Sequence, residues 1–206
     1  MKLYLSSYKL GNEIEKLKTL LSAVNKKTAY IPNALDFSDG LERRKISEQS
    51  DMNQLTTLGL DVELVDLRDY FDNPTELEKK LSESGVIWVR GGNIFVLRQA
   101  MRMSGFDVII KKLATRDDLL YGGYSAGICV LAPTLHGMEL MDDPTAKPYG
   151  DNLEVIWGGL HILPYSIIPH YNSDHIESES AQKTVEYMTK NNMPFKTLAD
   201  GEVIIL

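Results

Sequence analysis

The chain has 206 residues, 43% hydrophobic and 25% charged, with a formal net charge of −7. That length suits one α/β domain, residues 1–206, with a substantial core. The acidic balance, with no Lys/Arg run, argues against a nucleic-acid-binding surface. No apolar stretch nears the roughly 20 residues that span a bilayer, so no membrane partner is expected. One cysteine, Cys129, excludes an intrachain disulfide. The segment Met1–Ser7 lacks the apolar centre and cleavage site of a secretory signal, so a cytoplasmic location is expected.

Leu3 to Ser7 reads as a short buried strand, and Ile14, Leu17, Leu20 and Leu21 then recur at helical spacing. Thr28 to Pro32 is the next strand. The charged stretch Asp36 to Asp61 carries Ile46, Met52, Leu55 and Leu58 as the packing positions of a helix. Val62 to Leu67 is strand-like, and Asn73-Pro74 followed by Glu76 marks a helix start. Val86 to Val89 is a strand, Arg90 to Asn93 a turn, and Ile94 to Met103 and Phe106 to Thr115 two helices. Leu119 to Tyr121 is a strand that Gly122-Gly123 should break, with a helix from Ser125 to Leu131. Further on, Val155 to Trp157 and Ile162 to Ile168 are strand-like, and Ser178 to Lys190 is a helix. Two closing strands, Thr197 to Ala199 and Val203 to Leu206, meet at Asp200-Gly201. This alternation predicts a three-layer α/β sandwich, a mostly parallel sheet with helices on both faces. Reactive groups then gather beyond the carboxyl ends of the strands.

Gly123, Ser125 and Gly127 form a G-x-S-x-G pattern between a strand and a helix. A sharp turn there lifts a serine above the sheet edge, and the helix start behind it offers free N–H groups and partial positive charge. The same residues could equally form a tight turn with an N-capping serine. A serine needs a base. Of His136, His161, His170 and His175, His170 is best placed, in a loop just past Ile167-Ile168-Pro169. The base needs an acid. Asp200 stands at a late strand end, with Glu139 and Asp142 as rivals after the nucleophile helix, and the residues alone do not choose among them. Gly91-Gly92-Asn93 is a candidate second oxyanion donor or a plain helix start capped by Asn93. It matches neither a phosphate loop nor a dinucleotide fingerprint. Tyr124 and Tyr171 flank the two reactive candidates and, with Asn93, are candidate substrate contacts. No H-E-x-x-H or similar ligand spacing is present, so neither metal nor organic cofactor is expected.

Three segments together, Val89-Arg90-Gly91-Gly92-Asn93, Gly122 to Gly127 with Ala132-Pro133-Thr134, and Ile168-Pro169-His170-Tyr171, resemble the dipeptidase E and cyanophycinase group of serine peptidases, whose fold is similar to class I glutamine amidotransferases. The match in order and spacing runs over nearly the whole chain. The resemblance implies Ser125 as nucleophile, His170 as base, and an oxyanion hole from the N–H groups of Gly92 and Ala126. The acid it implies is Asp200, with Glu139 as the alternative. The implied substrate is a small peptide; the alternatives are another acyl hydrolase, an esterase or amidase, and a non-catalytic binding protein on the same fold. One departure concerns specificity. Dipeptidase E prefers an N-terminal aspartate, thought to be read by an arginine after the histidine, whereas Tyr171 to Gln182 holds no Arg or Lys. Strict Asp-X specificity is not expected from that segment. A glutamine amidotransferase would need cysteine at the elbow, and Cys129 lies four positions further on. Oligomeric state is left open.

Overall fold

A computed structural model describes residues Met1–Leu206. Six strands form the main sheet: β1 (Lys2–Ser6), β2 (Lys27–Ile31), β3 (Asp61–Leu64), β4 (Val86–Val89), β5 (Leu120–Tyr124) and the final strand β8 (Val203–Ile205). Their spatial order is β3-β2-β4-β5-β1-β8, parallel except for β8, which runs antiparallel to β1. A separate pair, β6 (Ser166–Ile168) and β7 (Phe195–Thr197), is parallel.

Side chains alternate across these strands with period two, and the two faces have separate cores. Leu3, Leu5, Ala29, Ile31, Ile87, Val89 and Tyr121 point to one side. Helices α3 (Pro74–Ser82), α4 (Ile94–Met103), α5 (Phe106–Leu113), the short α6 (Ala126–Cys129) and α7 (Ser178–Lys190) pack into that core, together with residues of the loops and of the small sheet. Tyr4, Tyr30, Val86, Trp88 and Leu120 point to the other side, where Leu17 and Leu21 of α1 (Ile14–Ser22) and Leu55 of α2 (Leu41–Thr57) cover them. Helices therefore lie on both faces, in three layers. The layers are unequal, with 36 buried residues in one core and 9 in the other. No helix is long and apolar enough to cross a membrane.

Four local expectations need correction. Gly122 and Gly123 continue β5 rather than break it, because both pair in parallel with β1 on one side and β4 on the other, and the tight packing there requires glycine. A Cβ on Gly122 would lie 2.4 Å from the Trp88 ring, and one on Gly123 would lie 2.3 Å from Val89 O. Helix α2 does not pack on Ile46, which is 70% exposed. It buries Arg44, Glu48 and Asp51 as well as Leu55. Val155 to Trp157 forms no strand; it touches the Thr134 region through one isolated bridge at Gly158. The two closing strands do not pair as a hairpin, since β7 joins β6 and β8 joins β1.

The turn after β5 is packed without slack. A Cβ on Gly127 would lie 2.2 Å from Val89 O, in the interior of the sheet, while the buried Tyr121 hydroxyl donates to Gly127 O at 2.6 Å. Gly127→Ala should therefore lower stability by about 1–3 kcal/mol through overpacking, read as a reduced urea midpoint. An unchanged midpoint would show that the elbow can yield.

Candidate active site

The carboxyl ends of the three adjacent central strands β4, β5 and β1 feed one cleft of about 180 Å³. Tyr8 and Lys9 follow β1, Arg90, Gly91 and Gly92 follow β4, and Tyr124 and Ser125 stand at the end of β5. His170, His175 and Glu177, from the segment after β6, close the other side. A larger hollow of about 680 Å³ runs along the outer face of α2, but its lining of Lys45, Ile46, Gln49 and other polar residues presents no nucleophile–base pair.

Ser125 is the single residue between β5 and α6, with φ 49° and ψ −122°. A non-glycine residue there costs of order 1–3 kcal/mol and persists only when its surroundings hold it. Gly91 lets the elbow approach the next loop: a Cβ there would lie 2.8 Å from Ser125 Cβ. Gly92 has φ +144°, and its own Cβ would strike Ala34 O. The N–H groups of Gly92 and Ala126 donate to no backbone carbonyl. They remain available to an oxyanion.

His170 is buried and also lies at positive φ, 60°. Its ring Nδ1 and Asp200 Oδ1 are 2.7 Å apart. With Nδ1–H donating to the carboxylate, Nε2 keeps its lone pair toward the cleft. Burial holds the imidazole below its ordinary pKa, and the neighbouring His175 adds to this, while Asp200 and Glu177 pull the other way. Ser125 and His170 face the same cleft without a hydrogen bond between them. Such contacts are often long in free enzymes and tighten around substrate.

The small β6–β7 sheet brings the acid to the histidine. Ile168 pairs with Thr197, and the ladder continues as Leu198 N–H donates to Ile168 O and Tyr171 N–H to Leu198 O. This sets His170 beside Asp200. Glu139 is engaged elsewhere, accepting from Gly137 N–H at 2.6 Å. Asp142 accepts from Ile94 N–H at 2.9 Å, at the start of α4. Neither rival bonds His170.

Other candidates sort clearly. Tyr124 lines the cleft, and its hydroxyl donates to Asp51 Oδ2 at 2.6 Å. Asn93 is not a cleft residue. It is buried, its Oδ1 accepts from Phe95 and Val96 N–H, and its amide donates to Asp143 O. Tyr171 packs against the core rather than lining the cleft. His136 stacks on Trp157, with ring centroids 4.5 Å apart, and His161 is exposed near Met1 and Lys111. Burial pushes the Cys129 thiol well up, which leaves it a poor nucleophile.

Several residues escaped the sequence reading. Ser7 is buried; its Oγ accepts from His170 N–H at 2.9 Å and lies 3.0 Å from Asp200 Oδ1, to which it donates. Its only signal was its place at the end of the first strand. Two cations also enter the cleft from outside the Tyr171–Gln182 segment, Lys9 and Arg90. Both lie against buried Asp51, Lys9 Nζ at 2.5 Å from Oδ1 and Arg90 Nη1 at 3.7 Å from Oδ2. Tyr30 also donates to Asp51 Oδ2.

The strand ends thus bring together an elbow serine, a histidine paired with a carboxylate and two free backbone N–H groups, on a three-layer α/β fold. Comparison with known proteins narrows this. The model of peptidase family S51 matches residues 5–206, so the chain belongs to that family and is a peptidase. A Listeria monocytogenes protein named an uncharacterized peptidase is 27% identical over 82% of this chain and 77% of its own length. A Drosophila melanogaster protein named a probable alpha-aspartyl dipeptidase is 29% identical over 60% of this chain and 50% of its own. A crystal structure of a candidate peptidase E protein from Listeria monocytogenes superposes with a TM-score of 0.76 at 27% identity, covering 100% of this chain and 97% of the other.

Asp142 carries a pH dependence of its own. Burial is the main cause that pushes its carboxyl up to about 7, whereas an unfolded Asp ionises near pH 4. Between those values the folded state holds a proton the unfolded state has lost, so this group's contribution falls as pH rises. Asp142→Asn keeps an acceptor for Ile94 N–H and removes the titration. Its urea midpoint should gain on wild type between about pH 4 and pH 7; a constant gap would refute the assignment.

Proposed function

We propose that this peptidase is of the serine type, cleaving short peptides through an acyl-enzyme on Ser125. The observation that carries the reading is the 2.7 Å His170–Asp200 contact beside a cleft that also holds the strained Ser125. Ser125 Oγ attacks the scissile carbonyl carbon while His170 Nε2 takes its proton. The negative carbonyl oxygen meets the N–H groups of Gly92 and Ala126, typically the largest single electrostatic contribution. The C–N bond then breaks as His170 returns the proton to the leaving amine. Water, deprotonated by the same nitrogen, releases the acid and regenerates Ser125. Asp200 holds the tautomer and stabilises the imidazolium throughout.

The cleft supports a small polar substrate. Its volume is about 180 Å³, and Lys9, Ser47, Arg90, His175 and Glu177 line it. That lining favours a peptide over an apolar ester. Lys9 and Arg90 give one side positive charge, so dipeptides bearing an acidic residue belong in the first substrate panel.

The test is a dipeptide panel combined with fluorophosphonate labelling. Ser125→Ala should abolish labelling and reduce kcat/KM by at least about 10⁴-fold, and Asp200→Asn should reduce it by about 10²–10⁴-fold through loss of the correct tautomer. Glu139→Gln should hydrolyse within about threefold of wild type. If Glu139→Gln falls and Asp200→Asn does not, the acid is misassigned. Unlabelled, inactive, well-folded wild type would overturn the serine mechanism.

A further inference from the structure

Three metal-binding side chains converge at the mouth of the cleft. Donor atoms of His170, His175 and Glu177 all lie within 4.8 Å of one another. The His170 and His175 rings stack with centroids 3.8 Å apart and planes 9° apart. Glu177 Oε2 is 3.6 Å from His170 Nε2, and no lysine or arginine pairs with that carboxylate. The linear order His170, His175, Glu177 is not an H-E-x-x-H spacing. The turn after β6 brings the three together.

We propose that His170, His175 and Glu177 form a His₂Glu site for Zn²⁺, and that the ion and the peptide substrate exclude each other. The part concerning substrate rests on the serine-peptidase reading; ion binding does not. Two imidazoles and one carboxylate are a set that Zn²⁺ takes with a fourth position left to water. Donors about 2.1 Å from a tetrahedral ion stand about 3.4 Å apart, so the cluster must draw in and the stacked His175 ring must turn until its in-plane lone pair meets the ion.

The three residues differ in how they are held. His170 is fixed from behind, because its Nδ1–H is held by Asp200. That carboxylate–histidine arrangement orients metal-ligating imidazoles and raises their basicity. His175 and Glu177 are half-buried, in a turn and at the edge of α7. His175 Nδ1 now accepts only a 3.2 Å bond from Glu177 N–H. Its ring exchanges that long bond for the ion. Glu177 brings the negative charge. The ion occupies the same Nε2 lone pair that would deprotonate Ser125, so a loaded site cannot act as the base. Zn²⁺ is then an inhibitor and regulator here, not a participant in the chemistry.

The test is calorimetric titration of Zn²⁺ into chelator-treated protein at fixed pH, for wild type, Ser125→Ala, His175→Gln and Glu177→Gln, each checked for native circular dichroism. Wild type and Ser125→Ala should bind one ion with similar affinity, and the two ligand variants should bind at least about tenfold more weakly. In parallel, at dipeptide well below KM, Zn²⁺ should suppress wild-type hydrolysis with the midpoint seen by calorimetry, and the midpoint should rise as substrate is raised. Each ligand variant, normalised to its own metal-free rate, should need at least about tenfold more zinc. Zinc binding that survives both variants unchanged, or no binding to wild type, overturns the site. Hydrolysis that persists at saturating zinc overturns the exclusion. Zinc binding lost in the ligand variants of a protein that hydrolyses no peptide would uphold the site and sink the peptidase mechanism alone.

Discussion

The site depends on one hydroxyl. Ser7, at the end of the first strand, accepts the backbone N–H of His170 and donates to the carboxylate of Asp200. Those two residues arrive on different strands of the small sheet, about 160 and 190 residues away in sequence. A single buried oxygen thus ties the β6–β7 pair to the central strand β1. The tie also explains how His170 sits at φ 60°, a conformation that isolated histidine visits rarely. Its N–H, its ring and its partner's carboxylate are all spoken for.

Strain appears on both sides of the cleft, at Ser125 and at His170. Each is held by close packing of a different kind. Around Ser125, glycines remove atoms: Gly91, Gly123 and Gly127 all stand where a Cβ would overlap a neighbouring strand or side chain. Around His170, hydrogen bonds add restraint. A polar seam on α2 supports the floor between them. Arg44 pairs with Glu48 and Asp36, and Asp51 gathers Lys9, Tyr30 and Tyr124. Buried ion pairs of this sort contribute little net stability. Here they hold Tyr124, the residue before Ser125, and Lys9 at the cleft wall.

The same segment that delivers His170 also brings His175 and Glu177 over it. That crowding gives the cleft a changeable side, a turn and a helix start, facing a rigid side built from strand ends. Specificity and regulation then fall to residues whose placement can vary without disturbing the sheet.

Much of this was legible in the sequence. Period-two and helical patterning determined the three layers, because burial on both sides of a parallel sheet leaves short continuous apolar runs such as Val86 to Val89. The elbow at Ser125 was legible because a strand-to-helix turn needs glycine at set offsets, and His170 because it stands in a loop just past an apolar run. Three things were decided by tertiary structure alone. That Asp200, and not Glu139 or Asp142, contacts His170 follows only from the register of β6 against β7, a long-range pairing with no local signature. The buried face of α2 was misjudged because its partners are charges on other elements, and apolar periodicity cannot report ion pairs. Ser7, Lys9 and Glu177 became site residues only when strand ends far apart in sequence were set side by side, since a short side chain gains a role from the neighbours that folding supplies.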